Sequence, residues 1–239
     1  MGSLHYLTFT RPDLSFAVHQ VCQFMSIPCE AHLIAAKQIL RYVSSTLNFG
    51  IFFQHGPLYL SAFFDSDWAG DPFNCRSTIG YLVYLGFNPI TWSAKKQDTM
   101  SRSSTESEYR ALAIAAAEVC WIRQVLRDLG IFLSFPPKLW CDNVSALAIA
   151  SSPVFHACTK HVEVDYHFVR EHVLRRDLQV CYIATSDQLA DIFTKSLSFS
   201  RFQFLRSKTM VSLDPLVLRG DVSGNSESAN EEDKVHTVH

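Results

Sequence analysis

From Ser104 to Leu129 the residues at 108, 112, 115, 119, 122, 126 and 129 recur at steps of four and three, and all but Glu108 are apolar. That period predicts a long helix with one continuous buried face, ended by Gly130. Such a helix must lie on a broad apolar surface. The segments ahead of it offer one: Leu58 to Asp65, Thr78 to Leu85 and Pro89 to Ser93 are short, aromatic or β-branched, and separated by Gly, Pro and Asn. They predict three consecutive antiparallel strands. Beyond the helix we read a strand at Lys138 to Cys141, a short helix at Val144 to Ala150 and a helical stretch at about Glu163 to Arg175. A strand at Leu178 to Ala184 and a helix at Ser186 to Leu197 follow, which completes a mixed α/β order.

The two ends differ from this body. Pro12 opens a helical pattern carried by Phe16, Val18, Val21, Cys22 and Met25 up to Pro28. A second helix, about Glu30 to Val43, places Leu33, Ala36, Ile39, Leu40 and Val43 on one face, so the start reads as an α-hairpin ending near Asn48–Gly50. At the other end, acids concentrate after residue 212 (Asp214, Asp221, Glu227, Glu231, Glu232 and Asp233 against Arg219 and Lys234). That stretch has little to bury and reads as a disordered acidic tail. The body before it is close to neutral, so any nucleic-acid contact must rest on local clusters. Seven cysteines without a Cys-x-x-Cys fit free thiols in a reducing compartment. No apolar run reaches the roughly 20 residues of a membrane span, and no secretory signal opens the chain.

Four acids stand where open α/β sheets place their sites, at strand ends and helix starts. Asp65 ends the first strand, Asp142 the fourth, Glu108 sits in the first turns of the long helix, and Asp191 lies in the first turn or so of the last helix. Glu106 has the capping-box spacing from Ser103 and reads as structural, whereas Glu108 points from the apolar stripe toward the sheet. A carboxylate buried there without a partner would cost several kcal/mol, so a cation is expected beside it. Each acid also has a plainer role: Asp65 in a turn, Asp142 as an N-cap, Asp191 paired with Lys195. Clustered carboxylates favour Mg2+ or Mn2+ over zinc, and two such ions hydrolyse phosphodiesters. Lys95, Lys96 and Arg102 form a basic loop leading into the Glu108 helix, suited to phosphates. A calcium loop at Asp65–Gly70 is rejected because Ala69 and Arg76 fall on ligand positions, and His156, Cys158 and His161 lack a second cysteine pair for zinc. The four tryptophans, Trp68, Trp92, Trp121 and Trp140, read as core residues.

Five strings carry more: Phe64-Asp65-Ser66-Asp67-Trp68-Ala69-Gly70, Ser103-Ser104-Thr105-Glu106-Ser107-Glu108-Tyr109, Asp142-Asn143-Val144-Ser145-Ala146, Thr159-Lys160-His161 with Tyr166-His167-Phe168-Val169-Arg170-Glu171, and Gln188-Leu189-Ala190-Asp191-Ile192-Phe193-Thr194-Lys195. In this order they closely resemble the ribonuclease H region of copia-type LTR retrotransposon Pol polyproteins, particularly plant ones, from about Leu4 to Val211. The resemblance implies a ribonuclease H-like mixed five-stranded sheet flanked by helices. It implies an enzyme that cuts the RNA strand of RNA/DNA hybrids with two Mg2+ or Mn2+ ions. Asp65 then matches the aspartate shared by both ions, Glu108 the helix glutamate, Asp142 the aspartate after strand four and Asp191 the last carboxylate. Glu108 and its surroundings would sense the 2′-hydroxyl that marks RNA. Lys95, Lys96, Arg102, Ser103, Ser104 and Asn143 would contact the hybrid, with Ser103-Ser104 replacing the Thr-Asn pair of cellular relatives. The histidine-bearing loop of those relatives is missing before the last helix, and His161 precedes a different one.

On the same resemblance, residues 1–56 are a helical remnant of a reverse transcriptase connection, 57–211 the ribonuclease H-like domain and 212–239 the tail. The polymerase palm would lie before Met1, making the chain a fragment and the missing reverse transcriptase portion a partner. The setting expected is intracellular, in a cytoplasmic virus-like particle or the nucleus. A second function stays open: a catalytically degenerate module of the same fold that binds nucleic acid or protein. A transposase or integrase would need the order Asp, Asp, Glu, which the chain does not have.

Overall fold

The computed structural model describes residues 2–71, 75–151, 163–209 and 211–213. The chain begins with α1 (Gly2–Leu7), a 3-10 turn at Pro12–Leu14, α2 (Ser15–Cys22) and α3 (Glu30–Ser45), then β1 (Phe49–Ile51). Next come β2 (Leu60–Asp67), β3 (Thr78–Leu85), β4 (Asn88–Lys96) and α4 (Ser104–Asp128). The remainder is β5 (Lys138–Cys141), α5 (Val144–Ser151), α6 (Glu163–Leu174), β6 (Gln179–Tyr182), α7 (Asp191–Thr194), α8 (Phe199–Lys208) and β7 (Val211–Leu213).

Five strands form one sheet in the order β4-β3-β2-β5-β6. The two hairpins β2–β3 and β3–β4 are antiparallel, while β2–β5 and β5–β6 are parallel. This is the ribonuclease H-like mixed sheet the resemblance implies. Strand parity sorts the core into two layers. Ala62 and Phe64 of β2 face Leu112, Ala115, Ala116 and Val119 of α4, all buried. On the opposite face, Phe63, Leu82 and Tyr84 meet Ile192 and Phe193 of α7 and Leu205 of α8. Helix α4 ends as its sequence predicts, with Gly130 at φ +77° and its N–H on the Arg127 carbonyl at 2.9 Å.

Several elements differ from expectation. The helix expected at 186–197 is a 3-10 turn (Thr185–Asp187) and the four residues of α7, and a separate α8 follows. Buried Gln188 breaks the pattern by turning its side-chain amide onto the Phe64 carbonyl at 2.9 Å. Strand β4 runs through Lys96, so Lys95 and Lys96 lie on a strand and not in a loop. The helix expected from Pro12 is a 3-10 turn followed by α2, which ends at Cys22, well short of Pro28, and α3 buries Ala36 and Ile39 while Leu33 and Leu40 stay exposed. Trp121 and Trp68 are also exposed, which removes two tryptophans from the expected core.

The first 56 residues are tied into the rest. Residues 49–51 pair antiparallel with 211–213, across the boundaries drawn at 57 and 212. Arg11 forks onto Asp13 at 2.9 and 2.8 Å, the Tyr42 hydroxyl donates to Asp13 at 2.7 Å, and Arg206 of α8 donates to that hydroxyl at 3.0 Å. This chain of charge-assisted bonds clamps α3 to α8. On the other side, the Trp92 indole donates to the Thr8 carbonyl at 2.8 Å. The expected tail, 212–239, has its first two residues in β7, a correction to the disorder read for them; its remainder from 214 onward, and His156, Cys158, Thr159, Lys160 and His161, lie outside the described residues. Among the described residues no helix is long and apolar enough to cross a membrane.

Candidate active site

Asp65 lies near the carboxyl end of the central strand β2, and parity turns its side chain away from α4 toward α7. There the Thr194 hydroxyl donates to Oδ2 and the Lys195 ammonium to Oδ1, the latter at 3.1 Å. The approach of α7 depends on Gly80, the register partner of Asp65 on β3. A Cβ at Gly80 would meet Phe193 Cβ at 2.6 Å and Thr194 Cγ2 at 2.8 Å. Gly80→Ala should therefore push α7 off the sheet and cost about 1–3 kcal/mol, the usual scale for overpacking. Chemical denaturation will measure that loss.

Glu108 is delivered by the first turns of α4, whose start is fastened to the sheet by small buried polar residues. Ser103 caps the helix, accepting from the Glu106 N–H at 3.1 Å. Ser107 hydrogen-bonds the Ser66 hydroxyl on β2, and Gln97 donates to the Ser107 carbonyl at 3.1 Å. Ser101 in turn donates to Gln97 at 2.6 Å, and the Trp68 indole donates to the Ser101 carbonyl at 3.0 Å. Glu106 is structural as read, but its carboxylate reaches the Arg102 N–H at 2.8 Å and Arg110 at 2.8 Å instead of closing a box on Ser103. Glu108 is thus held with Oε1 accepting from the Ser66 N–H at 3.2 Å, while Oε2 is buried with no hydrogen-bond partner among the described residues.

Asp142 follows β5. The cap on α5 is made by Asn143, whose Oδ1 accepts from the Ala146 N–H at 3.0 Å, so Asp142 is not spent on the helix. Asp65, Glu108 and Asp142 bring carboxylate oxygens within 4.8 Å of one another. Asp191 is not within that trio. It stands beside it, with Lys195 at 2.9 Å and Arg201 at 3.3 Å. Lys195 therefore bridges Asp65 and Asp191, the pairing anticipated from the i,i+4 spacing extended to a second carboxylate.

The electrostatics follow from this crowding. Burial, then the charges of Asp65 and Asp142, push the Glu108 carboxyl up to about 9. Burial also raises Asp65, against the pull of Lys195 and Thr194. For Lys195, burial works downward, but Asp65 and Asp191 outweigh it and hold the ammonium above the ordinary lysine value. A divalent cation fits the trio on chemical grounds: its ligand atoms are hard carboxylate oxygens, and Glu108 Oε2 is a buried acceptor with no donor among the described residues. Of the other expected contacts, Lys95, Arg102, Ser103 and Ser104 are exposed. Lys96 is ion-paired with Asp71 and donates to Gln23 at 2.6 Å. Sequence reasoning missed Thr194, Arg201, Gln188 and the serine–glutamine fastening of α4. The signal for the first and third lay within the Gln188–Lys195 string, read as one plain helix.

Comparison with known proteins places this geometry in context. The chain is 51% identical over 216 residues to the retrovirus-related Pol polyprotein from transposon RE1 of Arabidopsis thaliana, covering 90% of this chain and 15% of that protein. It is 35% identical over 207 residues to the corresponding polyprotein from transposon TNT 1-94 of Nicotiana tabacum, covering 86% of this chain and 16% of that protein. The chain thus spans about a sixth of the length of these relatives. Among solved structures, it is similar to LC11-RNase H1 in complex with an RNA/DNA hybrid, at 11% identity and TM-score 0.43, covering 56% of this chain and 93% of that one. No protein-family model matches the chain.

Proposed function

Because the chain belongs to the retrovirus-related Pol polyproteins of copia-type transposons, we propose that its five-stranded domain is a divalent-ion-dependent endoribonuclease that cuts the RNA strand of RNA/DNA hybrids. One observation carries this reading: three carboxylates from a strand, a helix and a second strand edge meet, with an oxygen of Glu108 buried and unpartnered among them. Asp65, Glu108 and Asp142 would hold one ion, and Asp65 with Asp191 the other. Bound ions of this kind activate a water for attack and stabilise the leaving oxygen of the phosphodiester.

The chain's own residues do the rest. The serine–glutamine cluster under α4 keeps Glu108 from drifting, and Gly80 keeps α7 close enough for Asp191 to stand beside Asp65. Lys95 and Arg102, exposed near the start of α4, would take phosphates of the hybrid, and the Asn143 amide faces the same task beside Asp142. Residues 1–56 would connect this domain to a reverse transcriptase portion.

The test is a hybrid carrying a labelled RNA strand, incubated with the full chain and Mg2+ or Mn2+. Cleavage of RNA in the hybrid, with none of the DNA strand and none in EDTA, is the expected result. A hybrid that binds and stays intact would make the domain a non-catalytic module, and absence of both binding and cleavage would remove both readings.

A further inference from the structure

The two halves of the carboxylate group are not alike. On one side Glu108 Oε2 has no donor among the described residues, and the α5 cap is made by Asn143 and not by Asp142. On the other side every oxygen of the Asp65 and Asp191 side chains has a donor: Thr194 and Lys195 on Asp65, Lys195 and Arg201 on Asp191. An ammonium centred between two carboxylates, at 3.1 and 2.9 Å, does there what a bound cation would do. Lys195 sits on the i,i+4 step from Asp191, and its side chain is 35% exposed on a flexible four-carbon stem. It can swing outward without disturbing α7.

We propose that Lys195 is a tethered cation that occupies the Asp65–Asp191 half until a second divalent ion displaces it, so that the two ions load in order. The Asp65–Glu108–Asp142 half, which shares only Asp65 with the lysine and holds the Glu108 oxygen that has no donor among the described residues, loads first. The second ion binds only at the cost of breaking both lysine contacts, and its affinity is lowered accordingly. Lys195 is on this view a positioning residue: it holds Asp65 and Asp191 together in the ion-free protein and sets the ion concentration at which the full complement assembles. The inference rests on the divalent-ion reading of the carboxylates.

The test is a Mn2+ titration of the full chain followed by electron paramagnetic resonance, which counts bound ions without any turnover. The native protein should bind one ion tightly and a second about tenfold or more weakly. Lys195→Met should tighten the second ion by about tenfold or more, while Lys195→Arg, which keeps the charge, should leave the order intact. Circular dichroism with and without Mn2+ separates this from misfolding, because the Met variant should melt lower than native protein in EDTA and recover when Mn2+ is added. Identical titrations for native and Met proteins, or loss of the second ion in the Met variant, would overturn the placeholder role. A native protein that binds no Mn2+ at all would overturn the divalent-ion reading along with it.

Discussion

Asp65→Asn should lower hybrid cleavage by about a thousandfold or more in a single-turnover assay, the scale expected when several kcal/mol of transition-state charge stabilisation are removed. Asp65 stands between the two halves of the site, within reach of Glu108 and Asp142 on one side and bridged by Lys195 to Asp191 on the other. Its loss therefore weakens ion binding at both. The substitution keeps shape and removes one buried negative charge, and Lys195 retains Asp191 as a partner. The fold should survive, and circular dichroism should show a native spectrum. An Asn variant that keeps more than about a tenth of native activity would be incompatible with this role.

Glu108→Gln should have the opposite effects on stability and on ion binding. With the Glu108 carboxyl raised to about 9 from an ordinary 4.5, the folded ion-free protein holds a proton there that the unfolded chain releases. Between those two values the folded state binds more protons, so stability falls as pH rises from about 4.5 to about 9, by on the order of a few kcal/mol from this group. Glutamine mimics the neutral acid and cannot ionise. In EDTA the Gln variant should melt higher than native protein at pH 8 to 9 and close to it near pH 5, with a flatter dependence between. Divalent ions reverse the ranking, because they need the ionised carboxylate: the native protein should gain melting temperature with Mn2+ and the variant should not. Ion affinity of the native protein should likewise rise with pH up to about 9, as the proton that binding must expel becomes easier to lose. Equal melting curves for the two proteins across this range would show that Glu108 is not under the strain its burial implies.

Much of this site was legible because it is built on periodic elements. Glu108 interrupts an otherwise apolar stripe, and that interruption marks it as inward-facing. Asp65 and Asp142 were found from their places at strand ends, and the five strings fixed the order in which such residues occur. Illegible features were those made by contacts distant in sequence. Lys195 was correctly matched to Asp191 by local spacing, but nothing local says that the same ammonium also reaches Asp65. Asp191 was expected among the other three carboxylates, and it is instead held one ammonium away. Leu189, Ile192, Phe193 and Leu197 share a helical spacing, which conceals that between 186 and 197 only Asp191–Thr194 is α-helical and that Gln188 is buried against β2. Strands as short as Phe49–Ile51 and Val211–Leu213 carry no alternation to recognise, so their pairing and the docking of the first helices escaped notice. Lys95 and Lys96 looked alike in sequence, and only their neighbours separate them: Lys95 is exposed, whereas Asp71 and Gln23 hold Lys96.

The most direct check is anomalous diffraction from crystals of the full chain soaked in Mn2+. Convergence of Asp65, Glu108 and Asp142 on a single cation requires a peak bounded by oxygens of all three, with Glu108 Oε2 among its ligands. Manganese found elsewhere in the crystal, with none at these carboxylates, would contradict it.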